Sequence, residues 1–279
     1  MSDLLDSITQ ALGLPANAPQ GLHLHAAGAL PSTFAVTELA SASIGAAGLA
    51  IAHLLAGQTG LHPAVHVDRR LSSMWFATSI RPLGWHLPPL WDAVAGDYPT
   101  RDGWIRLHTN AAHHRAAAER VLGRASDREQ MAYTVAQWEA GALESAVVEA
   151  GGCAAQMRSW QQWSAHPQGQ AVNAEPLVLR EQRAPGSTVA WTGSPSHPLA
   201  GVKVLDLTRI LAGPTASRLL AGYGADVLRL DPPGWDEPAV VAEVTLGKRC
   251  ARLDLHAAAD RAVFEGLLAQ ADILLHGYR

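Results

Sequence analysis

The order of apolar strands and amphipathic helices in residues 198–279 constrains the fold more than any other feature of the sequence. Residues 202–207 form a nearly continuous apolar run, which is typical of a parallel strand buried on both faces. An amphipathic helix and a second apolar run, residues 225–230, come next. A less buried strand, another amphipathic helix and a last strand are predicted at residues 250–255, 260–270 and 273–275. This alternation indicates βαβ units and a parallel sheet.

The turn after the first strand has the features of a ligand-binding loop. Asp206 interrupts the apolar run near its carboxyl end, where doubly wound sheets place the groups that face a ligand. Pro214 suits a first helical position, because its missing N–H would have no helical partner, and Gly224 is placed to cap the same helix. We therefore predict an α/β protein with a Rossmann-like parallel sheet and flanking helices in its C-terminal part. Asp206 and Thr208 are expected to support the loop rather than to contact the ligand.

The same turn argues against a dinucleotide site. Asp231 ends the second strand, as the acidic residue of a dinucleotide-binding fold would. The turn itself, however, reads TRILAGP and not G-x-G-x-x-G, so it lacks the glycines that let a backbone approach a pyrophosphate. NAD and FAD are not expected as cofactors.

Composition and charge indicate which partners and which cellular compartment to expect. The net charge of −4 and the absence of a basic run argue against nucleic acid as a partner. The longest apolar stretch, residues 44–56, is short of a bilayer and contains His53, so it predicts a buried helix and no membrane partner. Two cysteines, Cys153 and Cys250, and no secretory signal indicate a cytoplasmic protein.

The histidines do not predict a metal site. His62 and His66 are four residues apart, as ligands on a helix would be, but Pro63 lies between them. His23 and His25 alternate with apolar residues in a possible strand. None of these groups has a third ligand at the usual spacing. The expected metal content is none.

Four blocks of residues 198–279 together resemble the beginning of the family III CoA-transferases, the group of formyl-CoA transferase, carnitine CoA-transferase and α-methylacyl-CoA racemase. These blocks read VLDLTRILAGP, GADVLRLDPPG, LGKRC and LLHGYR, and they occur in the order that the family has. The resemblance implies a CoA-binding α/β segment, with coenzyme A as a cosubstrate.

The N-terminal part resembles later segments of the same family. Residues 34–68 are similar to the family's helix after its catalytic aspartate, although TGLHP stands where the family has a glycine-rich loop. The resemblance implies a mostly helical part with a small α+β segment in residues 1–180, and a Pro-, Gly-, Ser- and Thr-rich linker in residues 181–197. Residues 198–279 would then be a family beginning that follows a family end, in permuted or tandem order, and we expect the sheet to continue past Arg279.

Aligning the N-terminal helix on Gly48 places Glu38 at the position of the family's catalytic aspartate. The resemblance implies that this carboxylate attacks an acyl-CoA thioester and passes through covalent acyl and CoA intermediates to a carboxylic acid acceptor. Glutamate is one methylene longer than aspartate, and a displacement of that order can cost ~10²-fold in rate. The alternative is a glutamate that only stabilises a helix N-terminus.

The resemblance also implies the CoA-binding residues, which share positions in the loop after the first strand, in the basic block and in the last block. They are Arg209, Leu211, Ala212, Lys248, Arg249 and Tyr278. Lysine and arginine suit the phosphates of CoA, whereas a solvated basic turn is the alternative for Lys248 and Arg249.

Three functions stay open at this point. The first is an acyl-CoA:carboxylate CoA-transferase, whose nucleophile is Glu38 or an aspartate beyond Arg279. The second is a racemase or isomerase relative that moves an α-proton, and the third is a catalytically silent CoA-binding homologue. The family resemblance further implies a homodimer.

Overall fold

The computed structural model describes residues 2–75, 79–182 and 191–278. The middle of the predicted linker, residues 183–190, lies outside the described residues. The predicted boundaries at residues 180 and 198 follow the blocks of sequence resemblance and stay a prediction.

The chain forms two compact units, and the first of them is discontinuous. It consists of residues 1–87 together with residues 176–279, whereas the second unit is residues 88–175. The C-terminal α/β segment therefore folds with the N-terminal helices as one unit.

The first stretch of the first unit is a βαβ arrangement between two short helices. Its elements are α1 (Ser2–Ala11), β1 (Leu22–His25), α2 (Val36–Thr59), β2 (Val65–Asp68) and α3 (Arg69–Met74). β1 and β2 pair in parallel, with Leu22 opposite Val65. A Cβ at Gly45 would lie 2.7 Å from Leu22 Cδ2, and one at Gly48 would lie 2.7 Å from Val65 Cγ1. The two glycines therefore let α2 lie directly on both strands.

Helix α2 is longer than the apolar stretch predicted from the sequence. It spans 24 residues and, by length and composition alone, is apolar enough to cross a membrane. Half of its most apolar window is buried within the protein, where Ala42, Ala46 and Leu49 pack against α1 and β2. The prediction that this stretch is too short for a bilayer was wrong, whereas its prediction as a buried helix agrees with this packing.

The second unit combines a small antiparallel sheet with short helices. Its elements are β3 (Gly96–Pro99), β4 (Trp104–Leu107), α4 (Ala112–Leu122), α5 (Arg128–Val135), α6 (Ala140–Glu149), β5 (Ala154–Gln156), α7 (Trp160–Ala165) and α8 (Pro167–Ala174). The sheet order is β3-β4-β5. Ile105, Leu107, Met131, Val135 and Leu143 are among the buried residues of its core.

The last stretch of the first unit holds a parallel sheet. Its elements are β6 (Lys203–Asp206), α9 (Ala212–Gly222), β7 (Asp226–Asp231), α10 (Val241–Val244), β8 (Arg249–Arg252), α11 (Ala258–Leu268) and β9 (Ile273–Leu275). The strand order is β8-β7-β6-β9 and every pair is parallel. The predicted α/β class with a parallel sheet is confirmed.

Both faces of this sheet are covered, as the apolar strands predict. Val204 packs on one face with Ile51 of α2 and Leu220 of α9. Leu205 packs on the other face with Phe264 and Leu267 of α11. The consecutive residues Val204 and Leu205 of β6 thus pack on opposite faces of the sheet.

Element boundaries differ from the predictions by a few residues. α9 begins at Ala212, so Pro214 is its third residue and not its first. The helix is capped by Tyr223, and Gly224 follows with a left-handed φ of 98°. β8 occupies Arg249–Arg252, three residues short of the predicted end. The short helix α10 was not predicted.

Candidate functional site

The loop after β6 lies at a switch point of the sheet. β7, the next strand along the chain, pairs with β6 on one side, whereas β9, which follows β8, pairs with β6 on the other, so the strand order reverses at β6. In open parallel sheets, ligands bind in the crevice at the carboxyl ends of such strands. The Leu207 N–H donates to the Leu275 carbonyl at 2.9 Å, which keeps the two strand ends side by side. Residues 207–211 and 276–278 therefore share one edge.

Asp206 fastens the start of this loop from beneath. Its Oδ1 accepts hydrogen bonds from the Thr208 N–H at 2.9 Å and from Thr208 Oγ1 at 2.5 Å. Its Oδ2 accepts from Ser217 Oγ at 2.5 Å. Burial alone would raise the pKa of Asp206, but the hydroxyls of Ser217 and Thr208 and the nearby Lys248 cation hold that pKa below its ordinary value. Asp206 and Thr208 thus support the loop, as predicted.

Lys248 completes the same buried network. Its side chain is closed to solvent, and Nζ donates to Asp206 Oδ2 at 3.0 Å, to Ser217 Oγ at 2.6 Å and to the Pro214 carbonyl at 2.9 Å. An ammonium group has three donors, and all three are used. Burial lowers the pKa of Lys248, against the opposing effect of Asp206. In this arrangement Lys248 does not present its charge to a phosphate, contrary to its predicted role.

Arg249 points away from this network. Its guanidinium is exposed and donates from Nη2 to both oxygens of Asp226 at 2.7 Å. Asp226 begins β7 and Arg249 begins β8, so the pair sits at the amino ends of these strands. The structure does not join Arg249 to the loop after β6, as the predicted common CoA site requires, because the two lie at opposite ends of the strands.

The remaining predicted CoA-binding residues lie at the carboxyl edge of the sheet. Arg209 Nη1 donates to the Leu207 and Thr208 carbonyls at 2.9 Å each. Leu211 is 63% exposed and precedes Ala212, the first residue of α9. Tyr278 follows β9 and is exposed, stacked against His276.

The first turn of α9 closes tightly on the loop. A Cβ at Gly213 would lie 2.4 Å from Thr208 Cβ, so only glycine fits at this position without a shift of Thr208 or of the helix. The unpaired N–H groups at a helix N-terminus favour anions. The loop therefore combines an exposed apolar tip with a helix end that suits a negatively charged ligand.

Ile210, at the tip of the loop, has a left-handed backbone with φ of 62°. This conformation is a genuine outlier for a β-branched residue. The Ile210 N–H donates to Glu237 Oε1 at 2.5 Å, and Glu237 Oε2 accepts from Arg229 Nη2 at 2.6 Å. Arg229 is almost fully buried and also pairs with Asp231. Asp231, which resembles the acidic residue of a dinucleotide-binding fold, is therefore part of an internal ion network.

Glu38, the predicted nucleophile, lies in the first turn of α2 and is ion-paired. Arg69 Nη2 donates to Glu38 Oε1 at 2.8 Å, and the glutamate side chain is 28% exposed. The Arg69 hydrogen bond, followed by one from the glutamate's own backbone N–H, holds the pKa of Glu38 below its ordinary value. The carboxylate is therefore ionised at neutral pH and oriented by a cation.

A chain of contacts connects the Glu38 end of α2 to the sheet. Trp75 caps α3, and the Arg218 guanidinium of α9 lies 5.0 Å from its ring centroid. Arg218 pairs with Glu243 of α10, which also accepts from the Ser79 N–H at 2.9 Å. The segment that carries Glu38 and the helix that begins at the loop are thus fastened together within the first unit.

Sequence reasoning missed the charged residues of these networks. They are Arg218, Arg229, Glu237 and Glu243. Arg229 had a visible signal, because a charge inside an apolar strand needs a buried partner. Glu237 and Glu243 had none, since both follow a Pro- and Gly-rich turn whose path the sequence does not fix.

A cavity lies elsewhere in the first unit. It measures about 520 Å³, and its lining includes His53 and Leu54 of α2 together with Val202 and Ile273. The last two residues lie at the amino ends of β6 and β9, opposite the loop edge. Among the described residues, no cluster of three or more His, Cys, Asp or Glu side chains is arranged to hold a metal ion.

Comparison with known families gives a match over the C-terminal segment. The sequence pattern of CoA-transferase family III matches residues 199–279. These residues include β6, the loop after it, the Asp206–Lys248 network and β9.

Three proteins similar to this chain are transferases by name. An acyl-CoA transferase of Gibberella moniliformis is 30% identical over 88% of this chain and 49% of its own length. An acetyl-coenzyme A transferase of Hypoxylon pulicicidum is 41% identical over 37% of this chain and 18% of its own. The formyl-CoA:oxalate CoA-transferase of Escherichia coli is 34% identical over 30% of this chain and 23% of its own. The chain spans about half the length of these relatives or less.

Two solved structures are also similar. A CAIB/BAIF family protein from Brucella suis is 29% identical over 31% of this chain and 26% of its own, with a TM-score of 0.25. A Mycobacterium tuberculosis protein is 14% identical over 65% of this chain and 57% of its own, with a TM-score of 0.40.

Proposed function

We propose that the chain is a member of CoA-transferase family III, from the family match over residues 199–279 and its similarity to CoA-transferases, and that it transfers coenzyme A from an acyl-CoA to a carboxylic acid. The observation that carries the proposal is the loop after β6, which lies at the switch point of the sheet and inside the segment that the family pattern matches. Arg209, Leu211 and Ala212 of this loop, with Tyr278 beside it, are the proposed contacts to CoA.

Glu38 is the proposed nucleophile. Its carboxylate attacks the thioester carbonyl, the C–S bond breaks, and a mixed anhydride forms while CoA leaves as the thiolate. The thiolate then attacks the glutamyl carbonyl, which gives a glutamyl-CoA thioester and releases the first acid as a carboxylate. The incoming carboxylate attacks this thioester and expels the thiolate, which takes the new acyl group and restores Glu38.

Arg69 has two opposing effects in this scheme. Its hydrogen bond keeps Glu38 ionised and aimed, which a nucleophile needs. The same bond withdraws charge from the carboxylate and lowers its basicity. The proposed attacking atom is therefore Oε2, the oxygen opposite the one that accepts from Arg69 Nη2.

The second candidate is a CoA-binding homologue without turnover. The observation that favours it is the Glu38–Arg69 ion pair itself, since such a pair also stabilises a helix N-terminus without any chemistry.

A trapping experiment separates the two candidates. The protein is incubated with acetyl-CoA and isotopically labelled succinate, and labelled succinyl-CoA is measured by mass spectrometry. Hydroxylamine is added in parallel, because it cleaves a glutamyl thioester and leaves a hydroxamate on the residue. Transfer with a hydroxamate on Glu38, absent in Glu38→Gln, supports the transferase. CoA binding without either product supports the silent homologue.

We propose a cytoplasmic homodimer that has neither a nucleic-acid nor a membrane partner. The free cysteines Cys153 and Cys250 are both exposed, which suits a reducing compartment. Size-exclusion chromatography with light scattering tests the dimer.

A further inference from the structure

The backbone at Ile210 requires a restraint from outside the loop. Its φ of 62° belongs to the left-handed region, which a β-branched side chain disfavours. Ile210 is 49% exposed and Leu211 is 63% exposed, so core packing does not hold the tip of the loop. Such outliers persist only where the surrounding structure fixes them.

Glu237 supplies a restraint at this residue. Its Oε1 accepts the Ile210 N–H at 2.5 Å, in a charge-assisted hydrogen bond. Its other oxygen accepts from Arg229 Nη2 at 2.6 Å, and the two side chains are only 6% and 1% exposed. The acceptor is therefore fixed from behind by a buried cation.

Arg209 fixes the neighbouring carbonyls in the same way. Its Nη1 bonds to the Leu207 and Thr208 oxygens and lies 3.2 Å from Asp231 Oδ1. Asp231 in turn pairs with Arg229, the partner of Glu237. One ion network thus holds both the carbonyls before the tip and the N–H at the tip.

We propose that Glu237 is a positioning residue for the CoA-binding loop, which it keeps in the ligand-ready conformation by holding Ile210 left-handed. The proposal rests on the proposed function of this loop. Glu237 contacts no ligand in this role: it acts through the Ile210 backbone, which places the exposed Leu211 side chain, one of the proposed contacts to CoA.

A double-mutant cycle with Ile210→Gly tests the role, because glycine adopts a left-handed backbone without a restraint. CoA affinity is measured by calorimetry for the wild type, Glu237→Gln, Ile210→Gly and the double variant. Glu237→Gln is expected to weaken CoA binding about tenfold in the wild-type background and less than threefold in the Ile210→Gly background, as for coupled neighbours. Glu265→Gln, on α11, is the matched control and is expected to leave binding unchanged, because that exposed glutamate lies outside the network.

An equal loss in both backgrounds would overturn the proposal, because a role through Arg229 and fold stability alone does not depend on residue 210. Amide hydrogen exchange at Ile210, measured without CoA, gives a second readout. The amide is expected to be protected in the wild type and to exchange faster in Glu237→Gln. An unprotected Ile210 amide in the wild type would also overturn the proposal.

The two proposals fail separately. A wild-type protein that does not bind CoA removes the proposed function, whereas the exchange rate at Ile210 still decides whether Glu237 restrains the loop. A protein that binds CoA with no coupling between residues 237 and 210 removes only the positioning role.

Discussion

Lys248 Nζ lies 3.0 Å from Asp206 Oδ2, and both side chains are closed to solvent. The pair joins the end of β6 to the turn before β8 and, through Ser217, to α9. Lys248, although it lies in a basic block of the sequence, is thus a buried residue that supports the loop after β6.

Removing the Asp206 carboxylate is expected to destabilise the folded protein. Asp206→Asn leaves the buried Lys248 cation without its anion, and the free energy of unfolding should fall by ~3–5 kcal/mol. Urea unfolding measures the loss. Asp206→Asn combined with Lys248→Met should lose less than the sum of the single losses, since the two groups are in contact. Strictly additive losses would show that the pair is not coupled.

The same carboxylate predicts sensitivity to acid. The pKa of Asp206 is held below its ordinary value of 3.8, so its stabilising contribution is present above that value and is lost as the pH falls through the lower pKa of the folded state. Unfolding free energies measured downward from pH 5 should fall more steeply for the wild type than for Asp206→Asn. Parallel curves would contradict this assignment.

Arg69 is expected to set the acid limit of activity. Its hydrogen bond is the largest cause of the lowered pKa of Glu38. In Arg69→Met that pKa should rise, so the acid limb of the transferase rate should move to higher pH. The neighbouring Arg70→Met is the control, because Arg70 is exposed and pairs with Asp68 instead. A limb that stays in place would mean that Glu38 does not govern the rate.

The second unit is expected to fold alone. Residues 88–175 have their own core, in which Leu143 is fully buried. The isolated segment should unfold cooperatively, and Leu143→Ala should destabilise it by ~2–5 kcal/mol. Tyr133→Ala, at a position 77% exposed, should have little effect. Non-cooperative melting of the segment in circular dichroism would argue against an independent unit.

The local sequence pattern predicted much of the C-terminal sheet, but not the side-chain contacts around it. The strand at residues 273–275 and the supporting role of Asp206 agree with the structure because both depend on neighbours in sequence. The predicted role of Lys248 at a phosphate does not agree with the structure, where its side chain is buried. A family resemblance assigns a residue to a sequence block but does not give the direction of its side chain. One residue of register separates the buried Lys248 from the exposed Arg249.

The discontinuous first unit has a consequence for synthesis on the ribosome. Ile51 of α2 packs against Val204 and its neighbours, which lie in the other stretch of that unit. At ~5–20 residues per second, roughly 10–40 s separate the translation of residue 87 from that of residue 279. The N-terminal helices must spend this interval with an uncovered apolar surface, whereas the second unit is complete once residue 175 has been translated. Cells that produce the protein quickly at high concentration will therefore favour aggregation through α2, and slower translation or a holding chaperone should raise the soluble yield.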